Sequence, residues 1–285
     1  MTCYLCGSTR RTAVPGVVRD APEMQIFECQ DCGLVYLSSS AHASAGLYEQ
    51  GGMHGQAPVA LDTWRKETYP DDLRRYGALQ SVLANRDVLD FGCGNGGFLE
   101  LCLPTARSID GVELEQRARD DLLSQGKVVF PNLESCLRQD KRYDLITLFH
   151  VLEHLPDPRS TLKSLASLLK PGGEIVIEVP HARDALLSLY ASEAFSRFTY
   201  WSCHLYLFDR HTLATLVQQA GLQCRWIKYV QRYPLANHLH WLAKQAPGGH
   251  KCWHFLSAPA LDQAYADQLA AAGITDTLLA GIALP

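Results

Sequence analysis

The 285-residue sequence has no long hydrophobic run, and its N-terminus lacks the basic region and apolar stretch of a secretory signal. A helix that crosses a bilayer needs about 20 apolar residues, and secretion needs such a signal. We therefore expect a soluble cytoplasmic protein that does not enter a membrane. Positive charge is not in excess either, because the formal net charge is −4 and charged runs are short. This balance disfavours a dedicated nucleic-acid binder, while a local basic patch that contacts RNA stays open.

Disulfide bonds are not expected, although the chain has ten cysteines. Only four of them lie in closely spaced pairs, and the sequence has no secretion signal. The other six are predicted to be reduced cysteines of the core or of a site. With 47% hydrophobic residues the chain can bury one large core, and its length leaves room for a small additional module.

The four paired cysteines predict a structural zinc site. The pairs Cys3-x-x-Cys6 and Cys29-x-x-Cys32 are 22 residues apart, and a glycine follows each pair. Two thiolates at this spacing fit adjacent corners of a tetrahedron, so two pairs complete a four-cysteine site with no open position for a substrate. A ribbon of about 35 residues has too little core to fold without such a metal. The alternatives are two chance pairs or a redox C-x-x-C motif.

A glycine-rich segment predicts a cofactor site. Residues 88–97, Val-Leu-Asp-Phe-Gly-Cys-Gly-Asn-Gly-Gly, are typical of a buried strand that runs into a turn able to approach a ligand closely. A second apolar strand ends at Glu113, about 20 residues further on, where doubly wound folds bind ribose hydroxyls. The alternative is a turn that only packs a strand against a helix, with Glu113 as a solvated acid.

The residues around this turn favour S-adenosylmethionine over a dinucleotide. The glycine spacing is G-x-G-x-G rather than G-x-G-x-x-G, and Asp90 precedes it. A carboxylate at this place would repel a pyrophosphate, whereas it suits the ammonium group of S-adenosylmethionine.

The segment resembles motif I of class I S-adenosylmethionine-dependent methyltransferases. The resemblance covers roughly residues 85–230 and continues in order through residues 111–113, 143–147, 150–158 and 169–180. It implies an α/β fold with a doubly wound, seven-stranded Rossmann-like core. The implied cofactor contacts are Asp90, Gly92, Cys93 and Gly94 at the methionine part, Glu113 and Leu114 at the ribose, Asn132 and Leu133 at the adenine, and Phe149 and His150 at the end of the fourth strand. Cys93 is predicted to fill space in the turn rather than to react.

The chain is predicted to have four parts. Residues 1–37 form the zinc ribbon, which resembles the cysteine module that precedes the core of deoxysugar C-methyltransferases. Residues 38–84 are a linker and an N-terminal cover helix, in which Tyr48, Trp64, Arg65 and Tyr69 either line the pocket or pack as ordinary residues. Residues 85–245 are the methyltransferase core, with a substrate cover near 185–206 and final strands near 224–230 and 239–244. Residues 246–285 are a C-terminal extension that packs on the core or forms a subunit contact.

A group of histidines carries the other chemical signal. The sequence His150-x-x-Glu153-His154 matches the H-x-x-E-H pattern of inverted zinc proteases, but Pro156 and Pro158 exclude the helix that such a protease requires. Methyltransferases of ubiquinone-type O-methylation hold a divalent ion with E-x-x-E-H here, so Glu153, His154 and His204 are predicted either to bind a metal or to brace the turn.

A general base is the second role open to the histidines. A hydroxyl or carbon acid must lose a proton as it attacks a methyl group, and histidine is suited to accept one near neutral pH. The candidates are His150, His154, His181 and His204.

The predicted function is methyl transfer from S-adenosylmethionine to a small metabolite, with a sugar nucleotide or another natural-product or cell-surface precursor as the first substrate class. The first alternative is RNA methylation with the ribbon as the docking element. The second is a cofactor-binding subunit that acts only with a partner. The acceptor atom and the oligomeric state stay open.

Overall fold

A computed structural model of the chain describes residues 2–43, 45–51 and 59–285. Its N-terminal part forms three short antiparallel strands, β1 Arg11–Ala13, β2 Ile26–Cys29 and β3 Val35–Leu37. The residues on either side of the second cysteine pair form the two strands of a hairpin. The chain turns between β2 and β3 because Gly33 adopts a φ of +80°, which a side chain would disfavour.

Two helices lead from this module to the main sheet, α1 Ala45–Glu49 and α2 Leu61–Leu83. The long helix confirms the helix predicted for the cover region. Its buried positions include Asp72 and Arg75 as well as Leu79 and Leu83. The inner face of α2 therefore brings charged groups, not only apolar ones, into the protein.

The other strands are β4 Asp87–Phe91, β5 Ser108–Val112, β6 Val129–Phe130, β7 Tyr143–Phe149, β8 Leu169–Pro180, β9 Tyr206–Leu207, β10 Gln223–Val230 and β11 Thr277–Ala283. The other helices are α3 Gly97–Cys102, α4 Gln116–Ser124, α5 Leu133–Leu137, α6 Pro158–Ala166, α7 Ala185–Ser188, α8 Glu193–Thr199, α9 Arg210–Gln219, α10 Leu235–Lys244, α11 Gly249–Cys252 and α12 Pro259–Ala272. Short 3-10 turns lie at Leu152–His154 and His254–Leu256. None of the helices in the described ranges is long and apolar enough to cross a membrane.

Within the described residues, the main sheet has seven strands in the order β10-β11-β8-β7-β4-β5-β6. The five strands from β8 to β6 are parallel, and β11 runs antiparallel to both of its neighbours. Successive residues of the central strands enter two separate apolar clusters, as expected for a sheet buried on both faces. The predicted α/β, seven-stranded Rossmann-like core is therefore confirmed.

The last strand of the sheet corrects two predictions. Residues 239–244, predicted as a strand, lie in α10, whose buried residues Ala236, Asn237, His240 and Trp241 repeat with helical spacing. The strand that closes the sheet is β11, in which every residue is buried between β10 and β8. The segment predicted as a C-terminal extension thus supplies a strand of the core, whereas the predicted borders at 37 and 84 fall at the ends of β3 and α2.

The predicted substrate cover joins the N-terminal module to the core. Its last element, β9, pairs antiparallel with β3, so Tyr36 lies opposite Tyr206 and the small sheet gains a fourth strand. Val18, Ile26 and Tyr200 share one buried apolar cluster with Leu207. The module and the cover therefore form one packed unit.

Candidate functional site

A cavity of about 740 Å³ lies where the parallel strands end. The carboxyl ends of parallel strands meet at one edge of a sheet, where open α/β proteins bind their ligands. We call one side of the cavity the strand half; it contains Asp90, Gly92, Gly94, Glu113 and Phe149. We call the opposite side the cover half; its walls include Arg19, His181, Phe198, Trp201, His204, Arg232 and Trp241.

Asp90 is the buried acid of the strand half. Its side chain is only 3% exposed and accepts a hydrogen bond from the Thr147 hydroxyl, with 2.7 Å between the oxygens. Burial raises the pKa of Asp90 to about 7, because the one hydroxyl contact does not replace the lost water. Asp90 is therefore a buried acid whose ionised form a cationic ligand would stabilise.

Glu113 closes the glycine turn from the next strand. Its carboxylate accepts hydrogen bonds from the backbone N–H groups of Gly94 and Glu115, each at 2.7 Å. Burial nevertheless raises the pKa of Glu113, and the two N–H groups only partly offset this effect. The predicted ribose-binding acid thus lies at the cavity wall beside the turn.

The glycines of the turn leave space that side chains would fill. Gly92 adopts a φ of +80°, and a Cβ there would lie 2.4 Å from a methyl group of Val151. A Cβ on Gly94 would lie 3.1 Å from the ring of Trp64, which also lines the cavity. Cys93 packs tightly behind the turn, since a Cβ on Gly111 would meet its sulfur at 2.6 Å. The contact agrees with the predicted space-filling role of Cys93.

The structure brings most of the predicted cofactor residues together, with one exception. Leu114, Phe149 and His150 line the cavity along with the turn. Asn132 and Leu133, predicted to flank the adenine, are not among its lining residues. Instead, the Asn132 side chain caps α5 by accepting a hydrogen bond from the Ser135 N–H at 2.9 Å. Its carbonyl oxygen is used by the helix cap, and the adenine contact of Asn132 and Leu133 stays a prediction.

Of the four residues named for the linker and the cover helix, two line the cavity. Tyr48 and Trp64 line it, whereas Tyr69 is 51% exposed elsewhere on the surface. Arg65 donates to the backbone carbonyl of Asn95 and pairs with Asp121, so it braces the turn from outside. Tyr48 and Trp64 therefore line the pocket, whereas Arg65 and Tyr69 lie outside it.

An ion network beneath the cavity was missed by the sequence reasoning. Glu178 is fully buried on β8 and accepts hydrogen bonds from Arg75 at 2.7 Å and from Arg74 at 2.8 Å. Burial would raise the pKa of Glu178, but His150 and the arginines hold it well below its usual range. The only signal in the sequence is one acid inside the apolar run of residues 175–179. A buried carboxylate needs cationic or hydrogen-bonding partners, but the sequence does not indicate which residues provide them.

His150 belongs to this network and has no free lone pair. Its backbone has a φ of +55°, and its Nε2 lies 2.9 Å from Arg232 Nη1 and 3.3 Å from a Glu178 oxygen, while its Nδ1 lies 3.2 Å from a Glu153 oxygen. Burial and Arg232 lower the pKa of His150, but the two carboxylates outweigh them and raise it, which favours the protonated ring. In this arrangement His150 orients charges and offers no base.

Glu153, His154 and His204 converge at the edge of the cover half. One ligand atom from each lies within 4.8 Å of the others. His154 Nδ1 lies 2.7 Å from the Cys203 carbonyl, and His204 Nδ1 lies 3.0 Å from the Thr199 carbonyl. Both Nδ1 atoms therefore carry protons, and both Nε2 atoms keep lone pairs.

The burial of this cluster favours neutral histidines and leaves one oxygen without a partner. Burial lowers the pKa of His154, and it lowers that of His204 to about 3 with a further contribution from His154. Among the described residues, no hydrogen-bond donor reaches the buried Oε2 of Glu153. An unpaired buried carboxylate oxygen is costly, and a cation between the three groups would satisfy it.

His181 is the other predicted histidine that reaches the cavity. It follows the end of β8, and its Nδ1 lies 2.9 Å from the Thr275 carbonyl. Nδ1 therefore carries the proton and Nε2 keeps a lone pair. Burial lowers the pKa of His181, so the ring is neutral near pH 7 and can accept a proton.

The four N-terminal cysteines form one compact cluster. The sulfurs of Cys3 and Cys32 lie 3.6 Å apart and those of Cys6 and Cys29 lie 3.4 Å apart, with all four within 4.8 Å of one another. A tetrahedron with metal–sulfur bonds of 2.3 Å has edges of about 3.8 Å, whereas a disulfide needs about 2.05 Å. Burial raises the pKa of Cys3 to about 11 and also raises that of Cys32, whereas at Cys29 burial is outweighed by the N–H groups of Cys32 and Asp31, which lower the pKa to about 7. The donor set therefore fits a four-thiolate metal site.

Comparisons with known proteins agree with this fold and site. A family model described as a methyltransferase domain matches residues 61–225, more than half of the chain. The sheet order, the glycine turn and this match define a class I S-adenosylmethionine-dependent methyltransferase. The chain belongs to the family of that methyltransferase domain.

Sequence relatives point to one branch of that class. The chain is 30% identical over 169 residues to the ubiquinone biosynthesis O-methyltransferase of Bordetella avium, with 55% of this chain and 70% of that protein covered. It is 29% identical over 195 residues to the ubiquinone biosynthesis O-methyltransferase of Ralstonia nicotianae, with 64% of this chain and 76% of that protein covered.

Solved structures share the fold at lower sequence identity. A SAM dependent methyltransferase from Archaeoglobus fulgidus superposes with a TM-score of 0.51 at 20% identity, covering 81% of this chain and 98% of that one. The plantazolicin methyltransferase BamL, in complex with a triazolic desmethylPZN analog and SAH, superposes with a TM-score of 0.52 at 13% identity, covering 85% and 94% of the two chains. At these identities the likeness shows the fold alone.

Proposed function

We propose that this methyltransferase transfers the methyl group of S-adenosylmethionine to a hydroxyl oxygen of a small metabolite. One observation carries the proposal: a cavity of about 740 Å³ extends from the strand half to His154 and His204 of the Glu153–His154–His204 cluster. That volume suits small-molecule sites. The curated relatives are named as O-methyltransferases, which supports oxygen as the acceptor atom. A sugar nucleotide or a natural-product or cell-surface precursor stays our first substrate class, and the cytoplasm our predicted compartment.

The strand half would bind the cofactor through its own acids and backbone. Asp90 would accept hydrogen bonds from the ammonium of the methionine part, Glu113 would face the ribose, and the glycine turn would lie against both. S-adenosylmethionine supplies a methyl group activated by its sulfonium sulfur. Trp64, at the wall beside Gly94, would help to exclude water from this half.

His181 is our proposed general base. His150 is held between Glu153, Glu178 and Arg232, and His154 and His204 converge on Glu153, whereas His181 is neutral and held by the Thr275 carbonyl. The acceptor oxygen would form a bond to the methyl carbon as the carbon–sulfur bond breaks, and the hydroxyl proton would pass to His181 Nε2. The remaining rate enhancement would come from alignment of the two reactants in the cavity.

We propose that Glu153, His154 and His204 hold a divalent metal ion. One carboxylate oxygen and two imidazole nitrogens suit a transition metal, and both imidazoles donate their other N–H to a backbone carbonyl, as metal ligands do. Such an ion would supply a positive charge next to an acceptor hydroxyl. The partnerless Oε2 of Glu153 favours this proposal over a bracing role alone.

We propose that zinc occupies the four-cysteine cluster and acts structurally. Four cysteines leave no open position for a substrate. Because β3 pairs with β9, the ribbon would hold the cover in place. The boundary of this module at residue 37 remains our proposal, as does the likeness to the cysteine module of deoxysugar C-methyltransferases.

Metal counting would test both metal sites together. We expect about two divalent ions per chain when the protein is purified without chelator and supplied with Zn²⁺ and Mn²⁺. Glu153→Gln would lose one ion, and Glu193→Gln, an exposed acid on α8, would lose none. A single ion in the native protein that persists in Glu153→Gln would reject the second site and leave the bracing role.

Transfer of labelled methyl groups would test the function itself. The native protein and Asp90→Asn would be incubated with labelled S-adenosylmethionine and host extract, which is then separated into small-molecule, glycan, RNA and protein fractions. Label in small molecules that requires Asp90 supports the proposal and identifies the acceptor by mass. Label in RNA would favour a ribbon that docks RNA, and no label despite cofactor binding would favour a partner-dependent subunit.

A further inference from the structure

The zinc ribbon reaches the cavity through one residue, Arg19. The loop of residues 14–25 between β1 and β2 leaves the ribbon and lies against the cover. Arg19 from this loop lines the mouth of the cavity and is the one residue of the ribbon that does so among the described parts of the chain. A module with a structural metal thereby contributes a side chain to the cover half.

The loop is held firmly where it meets the cover. The Asp20 carboxylate accepts hydrogen bonds from the N–H of Ser202 at 2.9 Å and from its hydroxyl at 2.7 Å. The backbone N–H of Arg19 donates to the Tyr200 carbonyl at 3.0 Å. These contacts position the backbone of Arg19 relative to the cavity.

The guanidinium of Arg19 is stacked on aromatic rings and forms no direct ion pair with a described carboxylate, although the charge of the neighbouring Asp20 acts on it. It lies 4.6 Å from the ring centre of Trp201 and 5.4 Å from that of Phe198, and Nη1 donates to the Phe198 carbonyl at 3.3 Å. No carboxylate of the described residues lies within 4 Å of it, because the neighbouring Asp20 faces Ser202. The residues outside the described ranges carry no aspartate or glutamate. Most of the five N–H donors of Arg19 therefore face the cavity mouth or solvent.

The other arginines of the cavity differ in this respect. Arg75 pairs with Glu178 and Asp72, at 2.7 Å and 3.1 Å, and Arg232 pairs with Asp71. Their charges are neutralised by the protein, so a ligand would have to displace a carboxylate to use them. Arg19 offers a positive charge with stacked, preoriented geometry and without that competition.

We propose that Arg19 is an anion subsite, which binds a phosphoryl or carboxylate group of the methyl acceptor at the mouth of the cavity. This inference rests on the proposed small-metabolite function and narrows it to acceptors that carry an oxyanion. The ribbon would then have a second role besides folding, because it places the residue that selects the acceptor. Trp201 and Phe198 would contact the adjoining apolar part of the same molecule.

Calorimetric titration of the full-length, metal-loaded protein would test the subsite. The protein is first saturated with S-adenosylhomocysteine, so that the strand half is filled, and is then titrated at constant ionic strength with phenyl phosphate or, separately, with benzoate, two probes that each carry one anionic group and chelate metals weakly. Arg19→Gln is compared with Arg10→Gln, a control in the same ribbon, where Arg10 is exposed and pairs with Asp31 away from the cavity.

We expect saturable anion binding by the native protein and by Arg10→Gln, and binding at least about tenfold weaker in Arg19→Gln, because a charge-assisted hydrogen bond is lost. Preference for phenyl phosphate over benzoate would assign a phosphoryl group, and the reverse a carboxylate. Equal binding by Arg19→Gln and Arg10→Gln, or no saturable binding by the native protein, would overturn the subsite. Binding of S-adenosylhomocysteine is measured in the same samples, so a failed methyltransferase assignment would appear there and not in the anion titration.

Discussion

The two halves of the cavity are built in different ways. Apart from Phe149, the strand half comes from one stretch of about 25 residues, in which Asp90 and the glycines lie at the end of β4 and Glu113 follows the neighbouring parallel strand β5. The cover half is assembled from segments far apart in the chain, from Arg19 in the ribbon to Trp241 in α10. Backbone groups dominate the first half and side chains the second. A cofactor that many enzymes use can be bound by one short segment of the chain. Binding of a particular acceptor requires side chains from distant segments, which meet only in the folded protein.

The largest effect is expected from removing the ribbon metal. Cys29→Ser would leave three thiolates for the proposed zinc ion, and structural zinc contributes roughly 10–16 kcal/mol of apparent binding free energy to small modules. We expect loss of bound zinc, unfolding of the ribbon and loss of methyl transfer, because β3 no longer supports β9. Zinc content, hydrogen exchange of residues 26–37 and binding of S-adenosylhomocysteine would be measured.

This experiment separates the two halves. Binding of S-adenosylhomocysteine is expected to persist in Cys29→Ser, since Asp90 and Glu113 do not contact the ribbon. The control is Cys252→Ser, at an exposed cysteine of α11 outside the cluster. Full zinc content and unchanged exchange in Cys29→Ser would show that the cluster does not depend on the metal.

The second effect concerns His181 in the cover half. His181→Asn keeps an N–H for the Thr275 carbonyl but removes the basic lone pair. We expect kcat for the identified acceptor to fall by about 10²- to 10⁴-fold, the range typical of a lost general base, with cofactor affinity unchanged.

The pH profile distinguishes the base from a structural role. The native rate would decrease as pH falls and His181 is protonated, and this decrease would be absent from the residual rate of His181→Asn. His211→Ala, at an exposed histidine of α9, serves as the control. Identical profiles in the native protein and His181→Asn would assign the base elsewhere.

The third expected effect is a change of cofactor affinity with pH, caused by Asp90 in the strand half. The pKa of Asp90 is raised to about 7 in the folded protein, above about 3.9 for an unfolded chain. The contribution of Asp90 to the free energy of unfolding of the cofactor-free protein is therefore fully present below about pH 4. It is lost as the pH rises toward 7. The ammonium of the cofactor would stabilise the ionised form, so cofactor affinity is expected to increase from pH 6 to pH 8.

Asp90→Asn would remove that increase. At pH 8 we expect affinity for S-adenosylhomocysteine to be about 10- to 100-fold lower than in the native protein, and the gap to narrow at pH 6. Calorimetry at the two pH values makes the comparison, with Asp140→Asn as the control because Asp140 is 98% exposed. A gap of equal size at both pH values would contradict the assignment of the titrating group.

The smallest effect concerns the glycine turn. Gly92→Ala and Gly126→Ala both place a Cβ at a φ near +80°, which costs roughly 1–2 kcal/mol in each case. At Gly126 the Cβ would meet no atom within 4 Å, whereas at Gly92 it would meet Val151. We expect the free energy of unfolding to fall by about 1 kcal/mol more in Gly92→Ala, with weaker cofactor binding. Denaturant titration checks the difference, and equal losses would show that the turn has room for a side chain.

The sequence by itself determined the strand half, the four-cysteine cluster and the class of enzyme. Glycines, acids and paired cysteines at short spacings act within one turn or between adjacent strands, so spacing alone indicates their chemistry. For the same reason the predicted helix of the cover region and the order of motifs from residue 88 to residue 180 are confirmed by α2 and by strands β4 to β8.

Tertiary structure decided the remainder. Asn132 caps a helix, and residues 239–244 form a helix while β11 enters the sheet from the C-terminal segment. The protonated nitrogen of each histidine depends on which carbonyl or carboxylate it meets, and the bare charge of Arg19 depends on Asp20 facing Ser202. These outcomes follow from contacts between residues tens to hundreds of positions apart, and such contacts leave no periodic or local signal in the sequence.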